Sequence, residues 1–396
     1  MKKAMNNDKK RIMLIVPMLH QGGFERICAL TAKLLKDRYK IYLVVFTTKD
    51  MFYDVSGIEV IDIDMGAVDS TIGKVLNIFK RVNKLRKLKR ELKIDISYSF
   101  GMSANLVNVL SKTCDVTWAG MRAYGDLDNK SKSKLIATKA DRVVSCTKIM
   151  ERDICDTYSV KASCTVYNPC DLELLRSQAK ENINSSFDNF VDSGIIISSM
   201  GREDDVKGFW HLIKIVYLVR KQLPQVKLTI IGDGEYTEYK ELAKKLGMER
   251  DVLFTGVQKN PFAILAKTDI YMLTSDSEGF PNALIEAMAL GVPCVSVNCK
   301  TGPAEILHRE YEKCIDVKDV FYADYGIITP VLKGKKDLEP QVFTKEEKIM
   351  ADTVVKLIND KELLNKYKEQ GIKRADEFGM AVYTKNICKY INEDTK

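Results

Sequence analysis

Short apolar runs rich in Val, Ile and Tyr recur along the chain, and between them lie longer stretches in which apolar residues return every three or four positions. A first series of runs falls at 12–17, 41–47, 60–63, 94–100, 116–119 and 142–146, and a second at 195–200, 227–231, 252–255, 270–274 and 294–297. Runs of this length predict buried strands. Strands separated by amphipathic helical stretches predict a parallel sheet covered by helices on both faces. Helical patterns at 344–359, 361–378 and 380–391 close the chain, the last with apolar Val382, Ile387 and Ile391.

Between the two series the text turns polar. After Asn168 and Pro169 it runs through Lys180 to Asp192, with Asn-Ile-Asn-Ser-Ser in the middle, which predicts a linker. A chain of 396 residues with 45% hydrophobic content is too long for one ordinary core. The expectation is α/β, with two Rossmann-like doubly wound domains and a cleft between them: residues 1–172, a linker at 173–192, and residues 193–379. The terminal helix, 380–396, is free to return to the first domain.

Charge and composition narrow the classes. A formal charge of +8, from 62 basic and 54 acidic residues spread through the helices, argues against a dedicated nucleic-acid binder. Ten cysteines without a C-x-x-C pair, several inside apolar runs, predict buried free thiols in a reducing compartment. His20, His211 and His308 lie far apart, so neither a zinc site nor a Ser-His-Asp triad is expected, and no metal or other cofactor is called for. The apolar stretch at 12–19 is too short for a spanning helix and is interrupted by Pro17, which predicts a cytoplasmic protein.

The chemistry gathers at strand ends of the second series. Glu286 sits in Pro-Asn-Ala-Leu-Ile-Glu-Ala-Met-Ala-Leu, a helix opened by Pro281 and stopped by Gly291, where every other side chain after Asn282 is apolar. A carboxylate in such company costs several kcal/mol, about 3 or more, unless donors meet it. Ribose hydroxyls would serve, and so would a buried Arg or Lys. The loop in front, Ser275 to Phe280, follows the run at 270–274 and puts Glu278, Gly279 and Phe280 at the carboxyl end of a parallel sheet, where ligands bind in such folds. The first amides of the helix, at Asn282, Ala283 and Leu284, form an anion site there.

Arg202 and Lys207 leave the carboxyl end of the run at 195–200. Two basic residues in a loop are ordinarily solvated surface; at this edge they suit a diphosphate. In the first series, the run at 12–17 leads through His20 to Gly22 and Gly23 and into a helix, a turn that lets backbone approach a phosphate, although many strand-to-helix turns carry glycine.

These pieces together resemble the retaining glycosyltransferases of family 4 with the GT-B fold: Gly22-Gly23-Phe-Glu-Arg26, Gly201-Arg202 with Lys207-Gly208, Ile231-Gly-Asp-Gly234, Phe254-Thr-Gly-Val257, and Glu278 to Glu286 followed by Ala-Leu-Gly-Val-Pro293. The likeness covers nearly the whole chain in order. It implies that Arg202 and Lys207 neutralise a diphosphate, Glu286 holds a ribose, Val257 faces the base, Glu278 contacts the transferred sugar, and Gly22 and Gly23 close on the donor from an acceptor-binding first domain. It also implies transfer with retention from a nucleotide-sugar co-substrate, UDP-linked by analogy, onto a surface glycan or its lipid-linked precursor. Relatives carry a histidine after the fourth strand of the first domain; this chain reads Ser99-Phe-Gly-Met-Ser-Ala104 instead, so no histidine is assigned to catalysis. Two other readings share the architecture: a UDP-sugar epimerase, which would convert its substrate without an acceptor, and a silent sugar-nucleotide-binding scaffold, which would bind a donor without turnover.

One stretch stands apart. From Lys74 to Lys93 there are nine Lys or Arg against the single acid Glu91, while Val75, Ile78, Phe79, Val82, Leu85, Leu88 and Leu92 mark a stripe expected to pack on the first sheet. Its basic face is either solvated or set against an anionic membrane surface, as suits a peripheral enzyme on the inner face of the cell membrane using a lipid-linked acceptor.

Overall fold

The structure is a computed structural model and describes residues 9–183, 190–191 and 194–395. The chain divides into two compact units, Met1–Pro169 with Met380–Lys396, and Cys170–Gly379.

The first unit is built on a seven-stranded sheet in the order β3-β2-β1-β4-β5-β6-β7. Its members are β1 Arg11–Val16, β2 Lys40–Val45, β3 Glu59–Asp62, β4 Ile96–Phe100, β5 Val116–Met121, β6 Arg142–Ser145 and β7 Ser163–Thr165. All neighbours run parallel. Because successive side chains on a strand point to opposite faces, β1 serves two cores. Ile12, Leu14 and Val16 join one, together with Tyr383, Ile387 and Ile391 of the helix Met380–Asp394. Met13 and Ile15 join the other, with Val82 and Leu85 of the helix Thr71–Glu91.

The terminal helix is fastened in the first unit by polar contacts as well. The Arg142 guanidinium grips Asp394 through both carboxylate oxygens, at 2.8 and 2.6 Å, and Trp118 Nε1 donates to the same carboxylate at 2.8 Å.

The basic helix departs from the expected single stripe. Val82 and Leu85 face the core, but Val75 and Phe79 are exposed, and the third fully covered residue is Lys89. Lys89 Nζ lies 2.9 Å from Asp115 Oδ2 and 2.7 Å from Asn108 Oδ1, with Ser97 completing the cluster. Burial pulls the Lys89 ammonium down to about 8, against the opposing pull of Asp115. A lysine is tolerated here because every charge in the cluster has a partner.

The second unit repeats the plan with β8 Ile195–Met200, β9 Val226–Ile231, β10 Val252–Phe254, β11 Ile270–Leu273, β12 Cys294–Val297, β13 Phe321–Tyr322 and β14 Ile327–Thr329. The order is β10-β9-β8-β11-β12-β14-β13, parallel except for the antiparallel edge strand β13. The segment read as a linker opens instead with a helix, Leu172–Gln178, whose Leu175 is buried; residues 184–189 and 192–193 of that segment lie outside the described ones. Eight of the ten free cysteines are buried, while Cys114 and Cys155 are exposed.

Candidate active site at the switch point of the second sheet

In the second sheet the strand order reverses direction between β8 and β11, the position at which open α/β sheets leave a crevice beyond their carboxyl ends. The loops after β8, β9 and β10 are tied to one another at this edge. Gly201 N donates to Ile231 O at 2.9 Å, Glu203 N donates to Asp233 O at 2.6 Å, and Gly232 and Gly256 form an antiparallel bridge. A side chain at Gly232, where φ is +145°, would put a Cβ 2.0 Å from Gly201 O, so the two loops can be this close only with glycine.

The β8 loop is also laced to the β11 loop. Asp276 N donates to Val206 O at 2.8 Å and Thr274 Oγ1 donates to Lys207 O at 3.0 Å. Gly208 turns left-handed at φ +62° to start the helix Phe209–Arg220, and a Cβ on it would lie 2.4 Å from Thr274 O. The lacing aims the two charged side chains at each other: Lys207 Nζ lies 2.7 Å from Glu278 Oε1. Ser275 Oγ donates to the same oxygen at 2.7 Å, and Thr301 Oγ1 donates to Glu278 O. Sequence reasoning did not single out Ser275 or Thr301; the three-residue spacing from Ser275 to Glu278 was the available signal, whereas Thr301 arrives from beyond β12.

Behind the pair, the fully buried Tyr271 accepts from Met200 N at 3.3 Å, and burial, with Glu278 adding to it, raises its hydroxyl pKa. The same two influences push the Cys299 thiol well above its ordinary value. Both groups stay neutral and serve as packing beneath the charges.

The helix Asn282–Ala289 follows directly, with Pro281 at its N-cap and no side-chain cap on its first turn. Glu286 lies in its second turn and is only 3% exposed. Phe280 is buried and packs edge-on to Phe378 at 5.5 Å, while Gly279, Asn282 and Ala283 are partly open and Leu284 is covered. Arg202 stands exposed on the β8 loop, and Val257, 53% exposed, follows Gly256 on the β10 loop. Arg202, Lys207, Val257, Glu278 and Glu286 therefore all belong to one edge of one sheet. Gly22 and Gly23 belong to the first unit, where Gly22 caps the helix Gly23–Leu35 and its carbonyl accepts from Tyr53 OH at 2.9 Å.

None of the histidines joins this edge as a free base. His211 is buried against Glu347 at 2.5 Å, His308 lies 2.8 Å from Asp324, and the exposed His20 is 3.6 Å from Asp50 in the first unit. Among the described residues no group of three His, Cys, Asp or Glu side chains is arranged to hold a metal ion.

Two such sheets, with charged loops at the switch point of the second, give the GT-B architecture; the activity class comes from likeness to known proteins. The family model for glycosyl transferases group 1 matches residues 181–319. An uncharacterized glycosyltransferase of Methanocaldococcus jannaschii is 30% identical over 325 residues, covering 76% of this chain and 80% of the relative. The protein therefore belongs to the group 1 glycosyl transferase family.

Among its other relatives is the Campylobacter jejuni N-acetylgalactosamine-N,N'-diacetylbacillosaminyl-diphospho-undecaprenol 4-alpha-N-acetylgalactosaminyltransferase, 24% identical over 96% of this chain and 99% of that enzyme. Anabaena HepE, solved in complex with UDP, superposes with a TM-score of 0.73 at 18% identity, over 97% of this chain and 100% of that one. The fold is thus GT-B with two Rossmann-like sheets.

Proposed function

We propose that the protein transfers a sugar from a UDP-linked donor, with retention at the anomeric carbon, onto a polysaccharide or lipid-linked glycan precursor. The observation that carries the reading is the Lys207–Glu278 pair at the switch point, set directly before a helix without a side-chain cap whose second turn buries Glu286. The diphospho-undecaprenol acceptor named for the Campylobacter relative and the UDP bound to Anabaena HepE support the choice of acceptor and donor.

In this reading Arg202 and Lys207 neutralise the diphosphate, with the first amides of the helix at Asn282 to Leu284 adding their partial positive charge and no metal required. Glu286 accepts from the ribose hydroxyls, and Val257 covers the base. When the diphosphate arrives it competes with Glu278 for Lys207. The released carboxylate, still held by Ser275, then turns to the hydroxyls of the sugar. As the glycosidic bond breaks, charge grows on the leaving phosphate oxygen. Lys207 and Arg202 stabilise it there, and that oxygen takes the proton of the incoming acceptor hydroxyl.

Incubation with a panel of UDP-, GDP- and ADP-sugars tests the reading. A UDP-sugar should raise the melting temperature and be hydrolysed or transferred, and Glu286→Ala should remove both effects while leaving the unliganded protein folded. Retention is read from the anomeric proton coupling of the product. Stabilisation by a GDP- or ADP-sugar alone would overturn the UDP assignment.

A further inference from the structure

The helix Thr71–Glu91 carries more apolar surface than its core uses. Ile72, Val75, Leu76 and Phe79 are 77%, 50%, 55% and 64% exposed, and their spacing of i, i+3, i+4 and i+7 gathers them on one face across two turns. Further along the same helix, Val82 and Leu85 are already covered by the core of the first unit. Isolated exposed apolar residues need no explanation, but four on one helical face form a surface that water disfavours.

The charges around this face select its occupant. Lys80, Lys84 and Lys87 are exposed along one edge of the face, and the helix contains eight Lys or Arg against Glu91 alone. Beside the helix is a cavity of about 330 Å³ whose lining joins apolar Val68, Ile78 and Leu106 to the cations Lys74, Arg81 and Lys132. Apolar carbon next to several cations and almost no acid complements a phospholipid surface, where acyl chains lie beside phosphates. A second copy of this chain would bring the same positive charge against itself. No helix among the described residues is long and apolar enough to cross a bilayer, so attachment of this kind is peripheral.

We propose that the first two turns of this helix dock the protein on an anionic membrane, with Ile72, Val75, Leu76 and Phe79 entering the acyl boundary and the lysine edge meeting the phosphates. The apolar insertion distinguishes this from a purely electrostatic attachment, because salt then weakens binding without abolishing it. The docking goes beyond the sugar-transfer reading and is independent of it, since it needs no donor.

The test uses the full chain without sugar nucleotide and vesicles of phosphatidylglycerol with phosphatidylcholine, against phosphatidylcholine alone. Cosedimentation is expected to be strong with the anionic vesicles and weak with phosphatidylcholine alone. Leu76→Glu/Phe79→Glu should lower the partition coefficient roughly tenfold or more, the scale of one buried large apolar side chain. Lys80→Glu/Lys84→Glu should lower it less and reduce its salt dependence. In Phe79→Trp, vesicles should shift the emission to the blue, and brominated lipid should quench it.

All these side chains are exposed, so the variants should keep the circular dichroism of the parent. Absence of binding to anionic vesicles at low salt would overturn the proposal, as would binding that Leu76→Glu/Phe79→Glu leaves unchanged. A lipid-free dimer in sedimentation velocity that Phe79→Glu converts to monomer would also overturn it and assign the face to self-association. Donor hydrolysis is read separately: a protein that binds vesicles but turns over no sugar nucleotide would leave the docking standing and remove the transferase reading.

Discussion

Replacing Lys207 with methionine isolates the charge at the centre of the candidate site, because methionine keeps most of the stem. The ammonium lies 2.7 Å from Glu278 Oε1, and the two side chains are 27% and 11% exposed. At an effective dielectric of about 20 that distance corresponds to an attraction of roughly 6 kcal/mol before desolvation is subtracted. What the variant leaves behind is a mostly covered carboxylate held by Ser275 alone. A fully buried pair broken on one side costs about 3–5 kcal/mol; with the lysine more than a quarter exposed, about 2 kcal/mol is expected. Glu278→Gln added to Lys207→Met should recover part of this, since no orphan charge remains.

For catalysis the loss is different in kind. A cation aimed at developing phosphate charge contributes roughly 3–4 kcal/mol to the transition state, or 10²–10³ in rate. Urea unfolding gives the first quantity through the two single variants and the double, and steady-state donor turnover gives the second. If Lys207→Met reduced kcat/KM by less than tenfold, the cation would not be acting on the leaving group. If it left stability unchanged, the pair would contribute nothing in solution.

Two further outcomes follow from the same geometry. Gly208→Ala should destabilise the second unit by about 2–4 kcal/mol, because left-handed strain of roughly 1 kcal/mol is joined by a collision with Thr274 O; Gly247→Ala, at φ +70° with nothing within 4 Å, should show the strain alone. Lys89 gives up its proton near pH 8 in the fold against 10.5 for the free side chain, so between those values the unfolded chain holds the extra proton. The contribution of Lys89 therefore rises with pH across that window, and the stability gap between the parent and Lys89→Met/Asp115→Asn, followed by urea unfolding, should widen in favour of the parent; a flat gap would remove the assignment.

Much of this was written in the local pattern. The runs at 195–200 and 294–297 coincide with β8 and β12, and the strands at 12–17 and 41–47 are displaced by only a residue or two. The burial of Glu286 followed from its apolar neighbours, because a helix apolar on nearly every side has no solvent face to offer a carboxylate. The strands that went unread, β7, β13 and β14, are two or three residues long, too short for any alternation to declare itself. The helix Leu172–Gln178 was hidden in a segment whose polarity resembles a linker, and only Leu175 is fully covered.

The sequence by itself determined which residues are apolar, which strand ends carry charge, and that Glu278 and Glu286 bracket the start of one helix. Tertiary structure alone decided partners. A helical wheel of the basic stretch shows one broad apolar arc but cannot say that its part through Val82 and Leu85 is covered while its part through Ile72 and Phe79 stays exposed. Nor can spacing reveal that Lys207 and Glu278, 71 positions apart, share a hydrogen bond. That depends on β8 and β11 becoming neighbours in the sheet, a pairing made by hydrogen bonds between backbones rather than by any signal in the side chains of either strand.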